Sequence, residues 1–385
     1  MNAGQLKEAF FSRFGGEARV FRAPGRVNLI GEHTDYNDGF VLPAAIGFAT
    51  NVAAAGRNDR KIRAASLNFA GEYEFDLDQP NASILPGWAR YVQGVGTILE
   101  REGFRLGGAD LLINSDIPIG AGLSSSAALE VAVGFALTRI VGAEIDGMKL
   151  AQVGQRAEHE FAGVRSGIMD QFASVFGRDE NALFLDCRSL DWSAVPVSSR
   201  FLICNTKTKH ELADGEYNRR RAECERAAAF FGKTSLRDVS IEDFERSRSQ
   251  MPVIEQKRAR HILYENRRVL DSVQALRVGD IASFARQIDA SHESLRDDFQ
   301  ISCRELDVMV EAARRQPGVL AARMTGGGFG GCAIALLEDD VSLDLPDAIA
   351  MEYKEETGIE PEFYECRIGG GVRELQDRRR DIIKS

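Results

Sequence analysis

The stretch Pro118-Ile-Gly-Ala-Gly-Leu-Ser-Ser-Ser-Ala-Ala-Leu-Glu130 is the segment from which the fold is inferred. It follows a predicted strand over residues 109–116, and its small residues predict a helix that begins at the serines. Backbone N–H groups are unpaired at a helix start, glycines let an anion approach them, and serine hydroxyls add donors or a metal ligand. This order predicts a phosphate-binding loop. The alternative is an ordinary strand-to-helix connection in which a serine caps the helix.

The length and charge of the chain narrow the class of protein. Its 385 residues exceed what one hydrophobic core usually serves, so we expect two domains with a boundary near residues 190–205. The formal net charge of -10, without a long basic run, argues against nucleic acid or an acidic membrane as a partner. No window approaches about eighteen uninterrupted apolar residues, and the N-terminus lacks an apolar signal core. We therefore expect neither a membrane span nor secretion.

The cysteines lie far apart in the sequence and form no C-x-x-C pair. Several follow apolar, strand-like residues, which predicts buried free thiols. Such thiols fit a reducing compartment, so a cytoplasmic location is expected. The six positions are Cys187, Cys204, Cys224, Cys303, Cys332 and Cys366.

Two glycine patterns resemble nucleotide-binding motifs but have the wrong context. Ala227-Ala-Ala-Phe-Phe-Gly-Lys-Thr234 has alanine where a P-loop begins with glycine, and it ends a predicted helix, where Gly232 explains it as a C-cap. Gly326-Gly-Gly-Phe-Gly-Gly331 matches G-x-G-x-x-G, yet a strand-like run follows instead of a helix. We therefore expect neither a P-loop nor a dinucleotide-binding fold.

Three glycine-centred loops remain, at residues 24–39, 118–130 and 323–331. The first, Arg22-Ala-Pro-Gly-Arg-Val-Asn-Leu-Ile-Gly-Glu-His-Thr-Asp-Tyr-Asn-Asp-Gly39, resembles the N-terminal motif of galactokinases. Galactokinases belong to a family that also includes homoserine, mevalonate and phosphomevalonate kinases. The second and third loops resemble the ATP loop and the third motif of that family. Further segments similar to galactokinases are His159–Gln171, Gly215–Glu225 and Ser291–Asp298.

The resemblance implies an α+β fold of two domains. The first, over residues 1–195, resembles domain 2 of ribosomal protein S5, and the second, over residues 196–385, is ferredoxin-like. The last strand is one that can return to the N-terminal domain. The resemblance also implies a Mg²⁺-dependent reaction in which the γ-phosphoryl group of ATP is transferred to the C1 hydroxyl of α-D-galactose. The products are galactose 1-phosphate and ADP, and the reaction is the first committed step of galactose metabolism. Galactose and ATP are the expected small-molecule partners. We expect the protein to be a monomer.

Two other functions fit the same motifs. One is a kinase of the same fold for N-acetylgalactosamine, arabinose or galacturonate, because the residues around C2 and C6 of the sugar are not identified by the motifs. The other is a sensor that binds galactose and ATP without chemistry, as in relatives that have lost residues of the serine-alanine loop. This chain retains Ser124-Ser-Ser-Ala-Ala128, which favours an enzyme.

Asp170 and Arg26 are the candidate catalytic residues. The Asp170 carboxylate follows an apolar, glycine-opened turn and can accept the proton of the C1 hydroxyl. Arg26 beside it would keep the carboxylate ionised and stabilise charge on the moving phosphoryl group. Since an ionised aspartate beside arginine is a weak base, late proton transfer with electrostatic stabilisation is an equal alternative. From the sequence alone, Asp170 is as readily the N-cap of the helix that follows.

The resemblance assigns the remaining site residues. Carboxylates accept hydrogen bonds from two sugar hydroxyls at once, which suits an uncharged polyol. A hydroxyl and a carboxylate at the helix start suit Mg²⁺, which prefers oxygen ligands. The sugar would be bound by Glu32, His33, Thr34, Asp35, Gly167 and Tyr217. The nucleotide would be bound by Ser66, Trp88, Gly120, Ala121, Gly122, Leu123, Ser124, Ser125 and Ser126, and Mg²⁺ by Ser126 and Glu158.

Overall fold

The computed structural model describes residues 1–79, 84–118, 120–197, 199–209 and 213–376, without the side chains of residues 209, 213, 214 and 366. Its strands are β1 (Arg19–Asn28), β2 (Phe40–Val41), β3 (Pro43–Arg57), β4 (Lys61–Ser66), β5 (Glu72–Asp76), β6 (Gly108–Ser115), β7 (Asn181–Asp186), β8 (Trp192–Pro196), β9 (Arg200–Lys209), β10 (Val319–Thr325), β11 (Gly330–Leu337), β12 (Glu362–Cys366) and β13 (Arg373–Leu375).

The helices confirm the mixed α and β character predicted for the chain. They are α1 (Ala3–Phe14), α2 (Ala89–Arg101), α3 (Ser125–Ile140), α4 (Gly147–Ala157), α5 (Met169–Phe176), α6 (Ala213–Phe230), α7 (Ile241–Ser247), α8 (Val253–Arg277), α9 (Ile281–Ser294), α10 (Arg304–Arg314) and α11 (Leu345–Thr357). None of the helices within the described ranges is both long and apolar enough to cross a membrane.

A six-stranded sheet in the order β13-β1-β3-β6-β4-β5 carries the first predicted loop. The register between β1 and β3 shifts between Pro24 and Arg26. Proline has no N–H for the strand ladder, and such an irregularity bends a strand locally. Arg26 follows the bend and still pairs with Ala45 of β3, and its backbone N–H donates to the carbonyl of Leu123 at 3.2 Å. The bend therefore joins β1 to the loop that precedes α3.

Helix α3 is buried on nearly all sides, which explains its run of small and apolar residues. It packs on β1 and β3 and lies between α2, α4 and α5. Gly134 shows how close the packing is, because a methyl group there would lie 2.7 Å from a Leu150 side-chain carbon of α4. This burial holds the start of α3, and the serines at it, in one place.

The second sheet has the antiparallel order β10-β11-β9-β12, with α10 and α11 packed against it. The connection β-α-β-β-α-β with this order is the predicted ferredoxin-like arrangement. Strand β13 comes from the end of the described chain and pairs with β1, Val20 opposite Leu375. A shared core joins the two sheets, since Val27 and Leu29 cluster with Ile203 and Ile334. A three-stranded sheet, β2-β7-β8, completes the fold.

Two helical regions are interrupted in the structure. Helix α4 continues into a π-helical turn over Glu158–Ala162, and Gly163 ends this turn with a left-handed φ of 76°. π turns of this kind often occur at functional sites, because the extra residue redirects the side chains. The long helical region that begins at Val253 and ends at Arg314 is divided into α8, α9 and α10.

The predictions for the two misleading glycine patterns and the cysteines agree with the structure. Helix α6 ends at Phe230, and Gly232 follows with φ 65°, as at a helix C-terminus. The glycine loop at 326–331 leads into strand β11. Free thiols are present at the five described cysteines, of which Cys204, Cys224 and Cys332 are buried and the other two partly buried. The side chain of Cys366 lies outside the described residues.

Candidate active site

A cavity of about 330 Å³ brings the three predicted loops together. This volume is within the range of small-molecule sites. Most of the predicted site residues line this cavity, namely Arg26, Glu32, His33, Asp35, Gly120, Gly122, Leu123, Ser124, Ser125, Ser126, Glu158, Asp170 and Tyr217. The remaining lining residues are Val164, Ser166, Met169 and the third loop from Thr325 to Gly331.

Thr34, Ala121 and Gly167 lie next to the cavity without lining it. The Thr34 hydroxyl faces the backbone, 2.8 Å from the carbonyl oxygen of Gly31 in its own loop and 2.6 Å from that of Phe40 in β2. Ala121 is buried in the core beneath the second loop. Thr34 therefore stabilises the loop from which His33 and Asp35 reach the cavity.

The two residues predicted to contact adenine also lie outside this cavity. Ser66 ends β4, and its hydroxyl oxygen accepts from the backbone N–H groups of Asn68 at 3.1 Å and Phe69 at 3.3 Å. Trp88 precedes α2 and meets Tyr73 edge to face, with ring centroids 5.6 Å apart. Its indole N–H is buried and has no hydrogen-bond partner among the residues that the structure describes. Their contact with adenine stays a prediction.

Arg26 and Asp170 form a two-pronged ion pair in the cavity. Arg26 Nε donates to Asp170 Oδ1 and a terminal nitrogen donates to Oδ2, both at 2.7 Å, while the other terminal nitrogen donates to Gly122 O at 2.7 Å. Ser124 Oγ donates to Asp170 Oδ2 at 2.5 Å. The N-cap of α5 is Ile168, so the capping interpretation of Asp170 is wrong. The carboxylate instead faces the cavity, and a quarter of the Asp170 side chain is exposed.

Glu32 is buried and belongs to a dense set of donors. Its carboxylate pairs with the guanidinium of the fully buried Arg323 and accepts from Asn28 Nδ2 at 2.9 Å and Gly326 N at 3.1 Å. The Thr325 hydroxyl lies 3.4 Å from Glu32 Oε1. The third loop thus holds the carboxylate of the first loop at the cavity wall.

The His33 ring uses both nitrogens inside the protein. Nδ1 lies 2.7 Å from the Tyr36 hydroxyl and Nε2 lies 3.3 Å from the carbonyl of Gly327. Burial, with a smaller effect of His261, lowers the pKa of His33 to about 3. The ring is therefore neutral at pH 7. A carbonyl oxygen only accepts, so Nε2 carries the proton and Nδ1 accepts from Tyr36.

Asp35 is a buried carboxyl group at the same wall. Burial, and then the nearby Asp170 charge, raise the pKa of Asp35 to about 7. Its Oδ1 accepts from the backbone N–H of Tyr36 at 2.9 Å. Burial also raises the pKa of the Tyr217 hydroxyl well above its usual value, so Tyr217 is neutral. Asp35 thus offers a hydrogen-bond acceptor whose pKa is close to neutrality, and Tyr217 offers a neutral hydroxyl.

Ser126 and Glu158 meet at the start of α3, and their role as metal ligands stays a prediction. Ser126 Oγ donates to Glu158 Oε1 at 3.2 Å, and Glu158 Oε2 accepts from Ser166 Oγ and, at 3.3 Å, from Gln171 Nε2. Within the described ranges, no three His, Cys, Asp or Glu side chains group to hold a metal. One hydroxyl and one carboxylate suit Mg²⁺, which keeps waters and takes its other ligands from phosphates.

Several residues of the site were missed from the sequence. Thr325 and the glycines at 326–328 line the cavity, although the third loop had been identified only as a family motif. Arg323 was overlooked because an arginine is usually a surface residue. Ser166 belongs to none of the three glycine-centred loops, yet its hydroxyl donates to Glu158. Gln171 lies next to Asp170, and no local signal distinguished it.

Family models match three parts of the chain. A galactokinase galactose-binding signature matches residues 8–56, which include the first loop. The GHMP kinases N terminal domain matches residues 90–178, and the GHMP kinases C terminal domain matches residues 272–345.

Individual proteins agree with these models. The chain is 44% identical to a galactokinase of Roseiflexus sp. (strain RS-1) over 388 residues, 99% of each chain. Its structure resembles that of Lactococcus lactis galactokinase complexed with galactose, with a TM-score of 0.93 and 40% identity, over 97% of this chain and 99% of that one. Methanococcus jannaschii mevalonate kinase shares the fold, with a TM-score of 0.63 and 18% identity over 92% of this chain and 99% of that chain. The chain therefore belongs to the galactokinase family of the GHMP kinases.

Proposed function

We propose that the chain transfers the γ-phosphoryl group of ATP to the C1 hydroxyl of α-D-galactose. The observation that carries this proposal is the Arg26–Asp170 ion pair, which lies in one cavity with the first loop on one side and the helix start of α3 on the other. The family supports it, since relatives of the same length and fold are galactokinases. The enzyme is then a phosphotransferase with an alcohol as acceptor.

The sugar end of the cavity is the wall formed by the first loop and Tyr217. Glu32 and Asp35 offer carboxylate oxygens, which accept hydrogen bonds from neighbouring hydroxyls of a polyol. The Tyr217 hydroxyl adds a polar group without charge, and the neutral His33 ring, whose two nitrogens bond Tyr36 and Gly327, lines the same wall. We assign Thr34 a role in holding the first loop in shape. Gly167 leaves room for the Asp35 carboxylate, because it has no side chain.

The phosphate end is the loop before α3. Gly120 and Gly122 each have φ 74°, a conformation that favours glycine. Their backbone and the unpaired N–H groups at the start of α3 form an anion site, strengthened by the helix dipole. Ser126 and Glu158 would hold Mg²⁺ here. When bound, Mg²⁺ supplies neutralisation of the phosphate charge.

Asp170 and Arg26 act between these two ends. As the C1 oxygen bonds to the γ-phosphorus, the bond from that phosphorus to the β–γ bridging oxygen breaks and ADP leaves. The C1 hydroxyl proton passes to the Asp170 carboxylate. Arg26 holds that carboxylate by two hydrogen bonds and adds a positive charge beside the transferring group. The alternative of late proton transfer uses the same residues in the same places.

The test is a substrate panel with the purified chain, ATP and Mg²⁺. We expect galactose 1-phosphate, identified by ³¹P NMR, and much slower turnover of N-acetylgalactosamine, arabinose and galacturonate. Efficient turnover of one of those sugars without turnover of galactose would overturn the proposed substrate. Asp170→Ala should abolish turnover and keep galactose binding in calorimetry. Binding of galactose and ATP by the unchanged chain without any turnover would identify a sensor.

The location and assembly of the enzyme form part of the same proposal. The free thiols of Cys204, Cys224 and Cys332 fit a reducing compartment, so we place it in the cytoplasm. All groups named above come from one chain, which fits a monomer.

A further inference from the structure

Ser124 has an unusual backbone for the residue before a helix. Its φ of 59° and ψ of 50° are left-handed, and its side chain makes no capping hydrogen bond. An ordinary serine N-cap has an extended backbone and accepts from the next turn. A left-handed conformation is unfavourable for a residue with a side chain. A residue that keeps this strain, next to a loop already rich in glycine, indicates that its side chain is needed.

The Ser124 hydroxyl points to Asp170 instead of the helix. Oγ donates to Asp170 Oδ2 at 2.5 Å, and a terminal nitrogen of Arg26 donates to the same oxygen at 2.7 Å. Arg26 in turn donates to Gly122 O at 2.7 Å and, from its backbone, to Leu123 O at 3.2 Å. The loop, the guanidinium and the carboxylate thus form a closed ring of hydrogen bonds.

This ring limits how Asp170 can be oriented. An ionised carboxylate has about four acceptor positions. Two are taken by Arg26 and one by Ser124, so one stays open toward the cavity. Without Ser124, two positions on Oδ2 and Oδ1 would compete for an incoming hydroxyl. The left-handed backbone of Ser124 is what aims its hydroxyl back across the loop.

We propose that Ser124 is a positioning residue that orients the Asp170 carboxylate toward the sugar hydroxyl. This proposal rests on the proposed function and changes one part of it, because the phosphate role predicted for Ser124 passes to the backbone and to its neighbours Ser125 and Ser126. Ser124 then contributes to the rate of the chemical step and not to nucleotide affinity.

Two variants separate the hydroxyl from the backbone strain. Ser124→Ala removes the hydroxyl and keeps the strain, whereas Ser124→Gly removes both, because glycine adopts a left-handed conformation freely. Loss of a hydrogen bond to a charged group costs about 1.5–3 kcal/mol. We therefore expect both variants to lower the single-turnover rate roughly 10- to 100-fold. The dissociation constants of galactose and of a non-hydrolysable ATP analogue, measured by calorimetry, should change less than about twofold.

Three outcomes would overturn the proposal. An unchanged single-turnover rate in Ser124→Ala would show that the hydroxyl is not needed. A normal rate in Ser124→Gly alone would show that only the backbone conformation matters. A loss of analogue affinity as large as the loss of rate would identify Ser124 as a phosphate ligand. If Ser124→Ala folds poorly in circular dichroism, Ser124→Gly still decides the question, because it relieves the strain.

The failure of this proposal can be told from a failure of the proposed function. The unchanged chain is measured in the same assay, and absence of turnover there with every sugar of the panel contradicts the function itself. If the wild-type protein is active and the Ser124 variants are equally active, only the positioning role of Ser124 is contradicted.

Discussion

Gly167 and Asp35 are packed so closely that a methyl group on Gly167 would lie 2.0 Å from Asp35 Oδ2. The two residues come from different loops, and Gly167 has no left-handed φ that would by itself require glycine. The requirement is therefore space. Any side chain at this position would displace the carboxylate that we assign to the sugar.

Gly167→Ala should accordingly weaken galactose binding. Forcing an extra methyl group into a packed site costs about 1–3 kcal/mol, which corresponds to a KM for galactose roughly 5- to 150-fold higher. The dissociation constant of an ATP analogue should stay within about twofold. Gly56→Ala is the matched control, because a methyl group on Gly56 would meet nothing within 4 Å. Equal KM values for Gly167→Ala and Gly56→Ala would contradict the assignment.

Galactose binding should depend on pH through Asp35. Because its pKa is about 7, the fraction of carboxylate that can accept two sugar hydroxyls falls as the pH falls below 7. We expect the dissociation constant of galactose, measured by calorimetry without nucleotide, to rise between pH 8 and pH 6. His33 does not contribute in this range, since its pKa is about 3. Asp35→Asn should bind galactose weakly, with an affinity that does not depend on pH. A galactose affinity of the wild-type protein that is constant between pH 6 and pH 8 would disprove the role of Asp35.

The same carboxyl group should influence stability in a defined direction. Its pKa in the folded protein is higher than its ordinary value of 3.8, so the folded state is favoured with Asp35 protonated. This contribution to stability is complete below about pH 4 and is lost as the pH rises through 7. Asp35→Asn should thus raise the thermal midpoint at pH 8 and have a smaller effect at pH 5. A lower midpoint at pH 8 would contradict this sign.

Arg26→Lys tests the geometry of the ion pair separately from its charge. Lysine keeps one positive charge but cannot make the two parallel bonds to Asp170 and the third to Gly122. We expect the single-turnover rate to fall about 100-fold or more, as when one preorganised donor is removed from an active site. Galactose affinity, measured by calorimetry, should be unchanged. A rate near that of the unchanged chain would mean that the charge alone suffices.

Arg323→Met tests the buried pair with Glu32. Both side chains are almost completely buried, and removing one partner of a buried pair costs about 3–5 kcal/mol. Urea denaturation should show this loss, and adding Glu32→Gln to Arg323→Met should recover part of it, because no buried charge is then left unpaired. Arg19→Met is the control, since the Arg19–Glu374 pair is exposed and is worth about 0–1 kcal/mol. Equal losses in both arginine variants would contradict the structural role.

The sequence predicted the framework because its signals are local. A strand, two glycines, three serines and small helix formers identify the loop before α3 without any long-range information. The same holds for the strand after the third loop, which excluded a dinucleotide fold. Asp170 and Arg26 were identified by motif resemblance, and their separation of 144 positions gave no reason of its own to pair them.

Other relations became visible only in the folded chain. Arg323 reaches Glu32 across 291 positions, and Ser124 reaches Asp170 across 46, because sheet register and helix packing place these segments side by side. Gly167 is a glycine for lack of space beside Asp35, which no local pattern reveals. The sequence by itself determined the loops and the type of chemistry, since backbone conformation and residue type are encoded locally. Tertiary structure alone decided which donor meets which carboxylate, because that depends on packing between distant segments.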